Sequence, residues 1–355
     1  MNKTLRGLRP FLFALPAVLA AEGLVRLGDA LRLFPRPTKT GLIYMDEKRD
    51  AFLNRFLPQA EHPGVLILGS STADTNLDPV TVEAVLAERG AGSFSIFNGA
   101  LYGTRTADNL HFLEWYRRHW RYERVVINIE PGILRPGSML EGLMRAKLDK
   151  NRVEWWLMDH SALFRYRDQV KFRHEGENLR STFLAAFDAE TTSHGWNRTL
   201  AVTQYIQRDE QVRGIAAPMR QWTTDYSNIE RMAEFCAANG IDLTFVSLPW
   251  RPDMMEHLPG PWSFDEITRQ TREIAERHGV RYLDLSRVEF PDEMFFDASH
   301  LNGYGARELS ILFADRYARM LREGAGVLVE PGGEGPALLR EAGGGATPPG
   351  ASAAR

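Results

Sequence analysis

The order of apolar runs in this 355-residue chain predicts an α/β fold: a three-layer α/β/α sandwich around a five-stranded parallel sheet, with a large insertion after strand 3. Five short runs rich in branched residues read as strands buried on both faces. Helical patterns alternate with them, as expected of a parallel sheet covered by helices. Asn239-Gly240 and His278-Gly279 are the stops expected where a helix hands over to the next strand.

Taken in order, the chain begins with Lys3, Arg6 and Arg9 ahead of the apolar run Phe11 to Ala21, the charge-then-apolar layout of an export signal. That run is about half of the roughly 20 residues a spanning helix needs. Glu22 and Arg26 interrupt its extension. Residues 1–30 are therefore expected to be a signal peptide or a membrane anchor, the alternative being an amphipathic helix packed on the domain.

Strand one, Gly64 to Gly69, ends in a Gly-Ser-Ser turn that sets a hydroxyl at the carboxyl edge of the sheet, where open α/β folds bind ligands. A helix over Pro79 to Arg89 leads to strand two, Ser93 to Asn98. Another, Thr106 to His119, leads to strand three, Arg124 to Glu130. The gap before strand four, Asp242 to Leu248, exceeds any simple crossover, so Pro131 to about Trp222 is expected to be an insertion with structure of its own. It holds Trp155, Trp156, Tyr166, Trp196, Tyr205 and Trp222 among Arg165, Arg167, Lys171 and Arg173. Leaving the carboxyl end of a central strand, it reads as a lid or substrate-binding subdomain beside the crevice, or as a small aromatic core. Helices over Asn228 to Asn239 and Phe264 to His278 flank strand four. Strand five, Arg281 to Leu285, and a helix over Tyr304 to Leu321 complete a domain spanning about 60–322. Residues 329–355, rich in Gly, Pro and Ala, are expected to be a disordered tail.

Lys plus Arg number 43 against 46 Asp plus Glu, a net charge of −3, so nothing points to nucleic acid or a polyanion as partner. Cys236 is the only cysteine and falls in a helical pattern, which excludes an intrachain disulfide and a Cys-based metal site. His62, His160, His174, His194 and His257 show no metal-ligand spacing, and no glycine-rich nucleotide signature follows strand one. No metal and no cofactor are implied.

Ser71, Asp297 and His300 supply, in that chain order, the parts of a Ser/His/Asp acyl-transfer site. A serine hydroxyl needs a neighbouring base to become nucleophilic, and His300 supplies it while Asp297 orients the imidazole. Ser70 is a competing hydroxyl. A second Asp-x-x-His, Asp108 to His111, lies inside an expected helix, where positions three apart are surface neighbours. Asp297 and His300 instead sit on a loop before a helix. Trp250 and Arg251 follow strand four as crevice-lining candidates, Arg251 for an anionic or sugar group, or else as part of a turn anchored by Pro249. Glu130, ending strand three, reads as a helix cap or ion-pair partner.

Gly69-Ser70-Ser71, Asn98 to Gly103 and Asp297-Ala298-Ser299-His300 resemble the first, second and fifth sequence blocks of the SGNH (GDSL-type) hydrolases. The resemblance covers about 60–130 and 225–322 and implies a flavodoxin-like sheet. It makes Ser71 the nucleophile, Ser70 occupying the aspartate position of Gly-Asp-Ser. The oxyanion donors it implies are the N–H of Ser71, that of Gly103, and a third-block asparagine. The third block departs from the pattern, with Glu130-Pro131-Gly132-Ile133 where Gly-x-Asn-Asp is expected. Asn128, inside the strand, is the remaining candidate for that donor, or a hydrogen-bonded core residue.

With the N-terminal segment, the Gly-Ser-Ser variant is similar to membrane-associated members that assist acylation of cell-surface polymers, such as those of alginate O-acetylation and teichoic acid D-alanylation. The expectation is an exported, periplasmic or membrane-anchored serine esterase or O-acyltransferase. It would act on an acylated surface carbohydrate or small ester, with a membrane-bound acyltransferase as a possible partner. The alternative is a catalytically silent binding or assembly component of an envelope polysaccharide system.

Overall fold

The run Gly64-Val65-Leu66-Ile67-Leu68 has no polar side chain, so it is stable only where both faces of the strand are covered, and all five residues are buried. The computed structural model of the chain describes residues 3–30, 43–138, 153, 156–157, 160–166, 189–199, 214, 216–217, 219–324, 326–329 and 333–334. Its helices are α1 (Lys3–Ala30), α2 (Ile43–Asp50), α3 (Ser71–Asn76), α4 (Pro79–Glu88), α5 (Thr106–His119), α6 (Ala162–Tyr166), α7 (Ser227–Ala238), α8 (Pro252–Met255), α9 (Phe264–His278) and α10 (Gly303–Glu323). Its strands are β1 (Gly64–Leu68), β2 (Ser95–Asn98), β3 (Tyr122–Asn128), β4 (Ala189–Thr191), β5 (Asn197–Thr199), β6 (Asp242–Ser247), β7 (Arg281–Asp284), β8 (Val288–Glu289), β9 (Val327–Val329) and β10 (Gly333–Glu334).

The chain divides into two units, Met1–Arg49 with Leu140–Ala186, and Asp50–Met139 with Phe187–Arg355. The expected insertion is thus split between them. In the first unit, the Glu22 carboxylate of α1 accepts hydrogen bonds from Ser161 Oγ (2.9 Å), Ala162 N (2.7 Å) and Leu163 N (3.0 Å), satisfying the orphan donors that open α6. Arg26 holds Glu22 at 2.8 Å. Residues 14–20 of α1 are exposed on every side, Leu15, Val18 and Leu19 among them. No helix among the described residues is long and apolar enough to cross a membrane. The tail expected to be disordered, 329–355, is in part ordered: Val329 pairs with Asp284, and Gly333–Glu334 form β10 parallel to β8, because a short backbone ladder needs no apolar run. Residues 330–332 and 335–355 lie outside the described residues, as do Trp155, Tyr205, Arg167, Lys171, Arg173 and the side chains of Arg165 and Tyr166.

The second unit carries a parallel sheet in the order β2-β1-β3-β6-β7-β9. Helices α3, α4 and α10 pack together on one face, and α5, α7 and α9 on the other, giving three layers. The sheet has six strands where five were expected. Gly324 ends α10 in a left-handed conformation, and Val327-Leu328-Val329 then pair with Tyr282-Leu283-Asp284 along the β7 edge. Three apolar residues suffice for an edge strand, and a run so short among glycines and prolines carries no period to read.

From β1 the chain steps to β2 on one side, and then returns to place β3 on the other. The carboxyl ends of β1 and β3 therefore flank the switch point, the crevice where such sheets take ligands. The antiparallel hairpin β4–β5, from the expected insertion, meets the end of β2, where Asn98 N donates to His194 O at 2.9 Å. Its tip fits only because residue 195 is glycine: φ is +79°, and a Cβ would lie 2.3 Å from Asn98 O.

Candidate active site

Chemistry at the switch point begins with the sharp turn that ends β1. Gly69 adopts φ +148°, and a Cβ there would come within 2.8 Å of Ala73 Cβ and 3.0 Å of Asn128 Cβ. Only glycine lets the chain pass so close to β3 and turn into α3. The turn is fixed from the neighbouring loop: Gly69 N donates to Asn109 Oδ1 (2.9 Å), and Gly69 O accepts from Thr104 Oγ1 (2.8 Å) and Leu101 N (3.3 Å). Gly103 lies in that loop next to Thr104, so the two expected oxyanion donors, Ser71 N and Gly103 N, belong to segments stitched together at Gly69.

The two serines have different surroundings. Ser70 is buried, and its hydroxyl donates to Glu130 Oε1. Ser71, the first residue of α3, is partly exposed, and its hydroxyl has no hydrogen-bond partner among the described residues. A nucleophile has to meet substrate, and of the two hydroxyls only that of Ser71 is both accessible and uncommitted.

His300 is held by a tight Asx turn. Asp297 Oδ1 accepts from the backbone N–H groups of Ser299 and His300, each at 2.9 Å, while Oδ1 and Oδ2 lie 2.9 and 2.7 Å from His300 Nδ1. An imidazole bound to a carboxylate through Nδ1 keeps its proton there and presents Nε2 as the base. Burial alone would make the Asp297 carboxyl harder to ionise, but His300 and the two N–H donors together hold it below its usual range. For His300 burial works downward, and the Asp297 carboxylate, aided by Glu130 and Asp74, more than offsets it, leaving the imidazole above its ordinary value.

Loop and helix are joined at the far end of α3. Asn76 Nδ2 donates to Ser299 O (3.1 Å) and Asn76 Oδ1 accepts from Leu301 N (2.9 Å), so the helix that begins with Ser71 is bonded at its end to the loop carrying His300. Arg251 N donates to Ala298 O (3.0 Å) on the same loop. A third support comes from the hairpin, where Trp196 Nε1 donates to Thr75 O (2.8 Å).

The remaining expected residues are placed as follows. Asn128 is fully buried and uses both ends of its carboxamide, Oδ1 accepting from Leu248 N (3.2 Å) and Nδ2 donating to Glu130 Oε2 (3.4 Å). Trp250 is buried, its Nε1 donating to Glu130 Oε2 (3.2 Å). Arg251 is 4% exposed and grips Asp253 with two hydrogen bonds of 2.9 and 2.7 Å. Glu130 was expected as a cap or ion-pair partner. It stands at the start of the Pro131–Leu134 turn without capping it, and instead gathers Ser70, Trp250 and Asn128. Asp108 of the second Asp-x-x-His accepts from Arg105 N (2.8 Å) and so caps α5.

No protein-family model matches the chain, and no curated protein matches it. Among solved structures it is similar to the lipase/acylhydrolase from Enterococcus faecalis, at 14% identity over 72% of this chain and 96% of that one, TM-score 0.38. It is also similar to the psychrotrophic esterase EstA from Pseudoalteromonas, at 10% identity over 73% and 98%, TM-score 0.35. A third is an acetyl-xylooligosaccharide esterase from Geobacillus, at 12% identity over 74% and 94%, TM-score 0.37.

Four residues around the site escaped the sequence. Asp74 and Asn76 sit on α3, which follows its serine too briefly to show a helical period. Tyr102, whose proton affinity is raised by burial and by the Asp297 charge, and Arg135, which lies over Trp222 and feels the Glu130 charge, are brought near the site only by the tertiary fold. A signal existed for one of them, since Asn76 is a polar residue next to the apolar Leu77 at a helix end.

Proposed function

We propose that this chain is an SGNH-type serine esterase or O-acyltransferase working through an acyl-Ser71 intermediate. The Asp297–His300 pair carries the reading: Nδ1 is bonded to the carboxylate at 2.7 Å on a loop tied by Asn76 to the helix that Ser71 begins. As Ser71 Oγ attacks the ester carbonyl carbon, its proton passes to His300 Nε2, and Asp297 stabilises the imidazolium. The carbonyl oxygen, now an anion, is met by the N–H groups of Ser71 and Gly103. His300 returns the proton to the departing alcohol, leaving acyl-Ser71. Water or a second hydroxyl then gives up its proton to His300 as it attacks, and His300 passes that proton to Ser71 Oγ as the acyl–serine bond breaks, releasing the acid or the new ester.

The substrate in this reading is an acylated surface carbohydrate or small ester. The chain is exported, periplasmic or anchored outward by residues 1–30, with a membrane-bound acyltransferase as partner. The basic start and the apolar residues exposed around α1 support that placement. A fluorophosphonate probe tests the chemistry: Ser71→Ala and His300→Ala should each abolish labelling without unfolding the chain, and labelling that survives either change refutes the pair.

One observation favours a second reading, a silent binding or assembly component. Where the third block would supply a side-chain donor, this chain has Glu130, a buried carboxylate that accepts from Ser70. Loss of one oxyanion donor costs about 10²–10³ in rate. An undiminished cellular phenotype for Ser71→Ala would decide for that reading.

A further inference from the structure

Arg135 takes no part in the chemistry assigned so far. It follows the turn Pro131–Leu134 that leaves β3, just beyond Glu130. Its guanidinium lies over the Trp222 ring, 3.8 Å from the centroid. A guanidinium held over a ring by cation–π attraction still has N–H donors to offer to a further partner.

Among the described residues no group accepts a hydrogen bond from those donors. Nε is buried without a hydrogen-bond partner, and no carboxylate among the described residues pairs with the group. In the same unit Arg251 grips Asp253 and Arg281 binds Asp242, whereas Arg272, like Arg135, has a buried Nε with no hydrogen-bond partner. Arg105 adds positive charge nearby, its Nη1 donating to Pro136 O at 2.7 Å. Burial first, and Arg105 second, make the Arg135 charge costlier to hold, while Tyr102 and Glu130 ease it. Tyr102 in turn feels the Asp297 carboxylate, and Glu130 holds Ser70, so these groups border the dyad and the turn into α3.

We propose that Arg135, presented on the face of Trp222, is a subsite for an oxyanion, a carboxylate or phosphate, carried by the ester whose acyl group reaches Ser71. The assignment rests on the esterase reading above. A planar cationic fork with which no carboxylate among the described residues pairs is free to take one from a ligand, and a carboxylate or phosphate accepts its paired N–H groups in a plane. The subsite would select acidic esters over neutral ones.

Three aryl acetates with the same acyl group test it: phenyl acetate, 4-acetoxybenzoate and 4-acetoxyphenyl phosphate. The ratio of kcat/KM for an anionic ester to that for the neutral one is the readout, so a change in the active fraction cancels. In the wild-type chain the ratio should fall as salt rises. Arg135→Gln should lower it by about tenfold or more, chiefly through KM. Arg135→Lys, which keeps the charge but loses the fork, should fall between and serves if the glutamine variant does not fold. Loss confined to one anionic ester identifies carboxylate or phosphate as the recognised group. A ratio unchanged in both variants, with Ser71→Ala inactive on all three esters, overturns the subsite and leaves the esterase standing. Hydrolysis that survives Ser71→Ala overturns the esterase reading itself.

Discussion

At the scale of single residues, proton affinity is the quantity that decides activity. In the proposed mechanism only the neutral imidazole can accept the Ser71 proton, and the Asp297 carboxylate holds His300 above its ordinary 6.5. Activity should therefore be lost as pH falls through a limb centred above that value, read from log kcat/KM against pH. Asp297→Asn removes the charge responsible. Its limb should move to lower pH and its rate fall by about 10⁴-fold. Ser71→Ala should abolish turnover to a similar or greater degree, by about 10⁴-fold or more, whereas Ser70→Ala should retain covalent labelling. The Asp297–His300 pairing was legible beforehand. The Asp-x-x-His loop was separable from its helical copy at Asp108 because its neighbours, Phe295-Phe296 and Asn302-Gly303, are those of a loop entering a helix. Arg135 and Trp222 were not legible as a pair, because a cation stacked on a distant ring leaves no local pattern in either segment.

Between elements, the site depends on two joints. Asn76→Ala removes both bonds from α3 to the histidine loop and leaves Ser299 O and Leu301 N unpaired in a buried region, which should cost about 1–3 kcal/mol per unpaired group in urea unfolding. Activity should fall further than stability alone explains, because the loop's position relative to Ser71 loosens. Trp196→Phe keeps the ring but breaks the bond to Thr75 O, with an expected loss of about 1–2 kcal/mol. The place where Glu83 of α4 meets His194 of the hairpin also carries a pH dependence. Burial holds the Glu83 carboxyl up at about 7 against an ordinary 4.5, with the Ile96 N–H opposing. A raised folded value adds stability that is full below 4.5 and lost as pH rises through about 7. His194, 3.8 Å away and lowered by burial, acts in the opposite sense by losing stability as pH falls. Glu83→Gln should flatten the alkaline loss, which urea midpoints at about pH 5 and about pH 8 would reveal. No sequence pattern announced these joints, since they link segments more than a hundred positions apart through single side chains.

For the molecule as a whole, the branched runs of β1, β2, β3, β6 and β7 were readable because strands covered on both faces are built around runs of apolar residues, unbroken in β1 and interrupted or bounded by polar residues in the others. The sixth strand was not, because an edge needs only a few residues. That strand has a practical consequence for anyone shortening the glycine-rich end. A chain stopped after Glu323 would keep every residue proposed for catalysis, yet it would uncover the row of amide and carbonyl groups that Tyr282, Leu283 and Asp284 now share with 327–329. An open ladder beside such apolar residues recruits the next molecule, so the shortened protein should elute as oligomers or precipitate where the full chain stays dispersed.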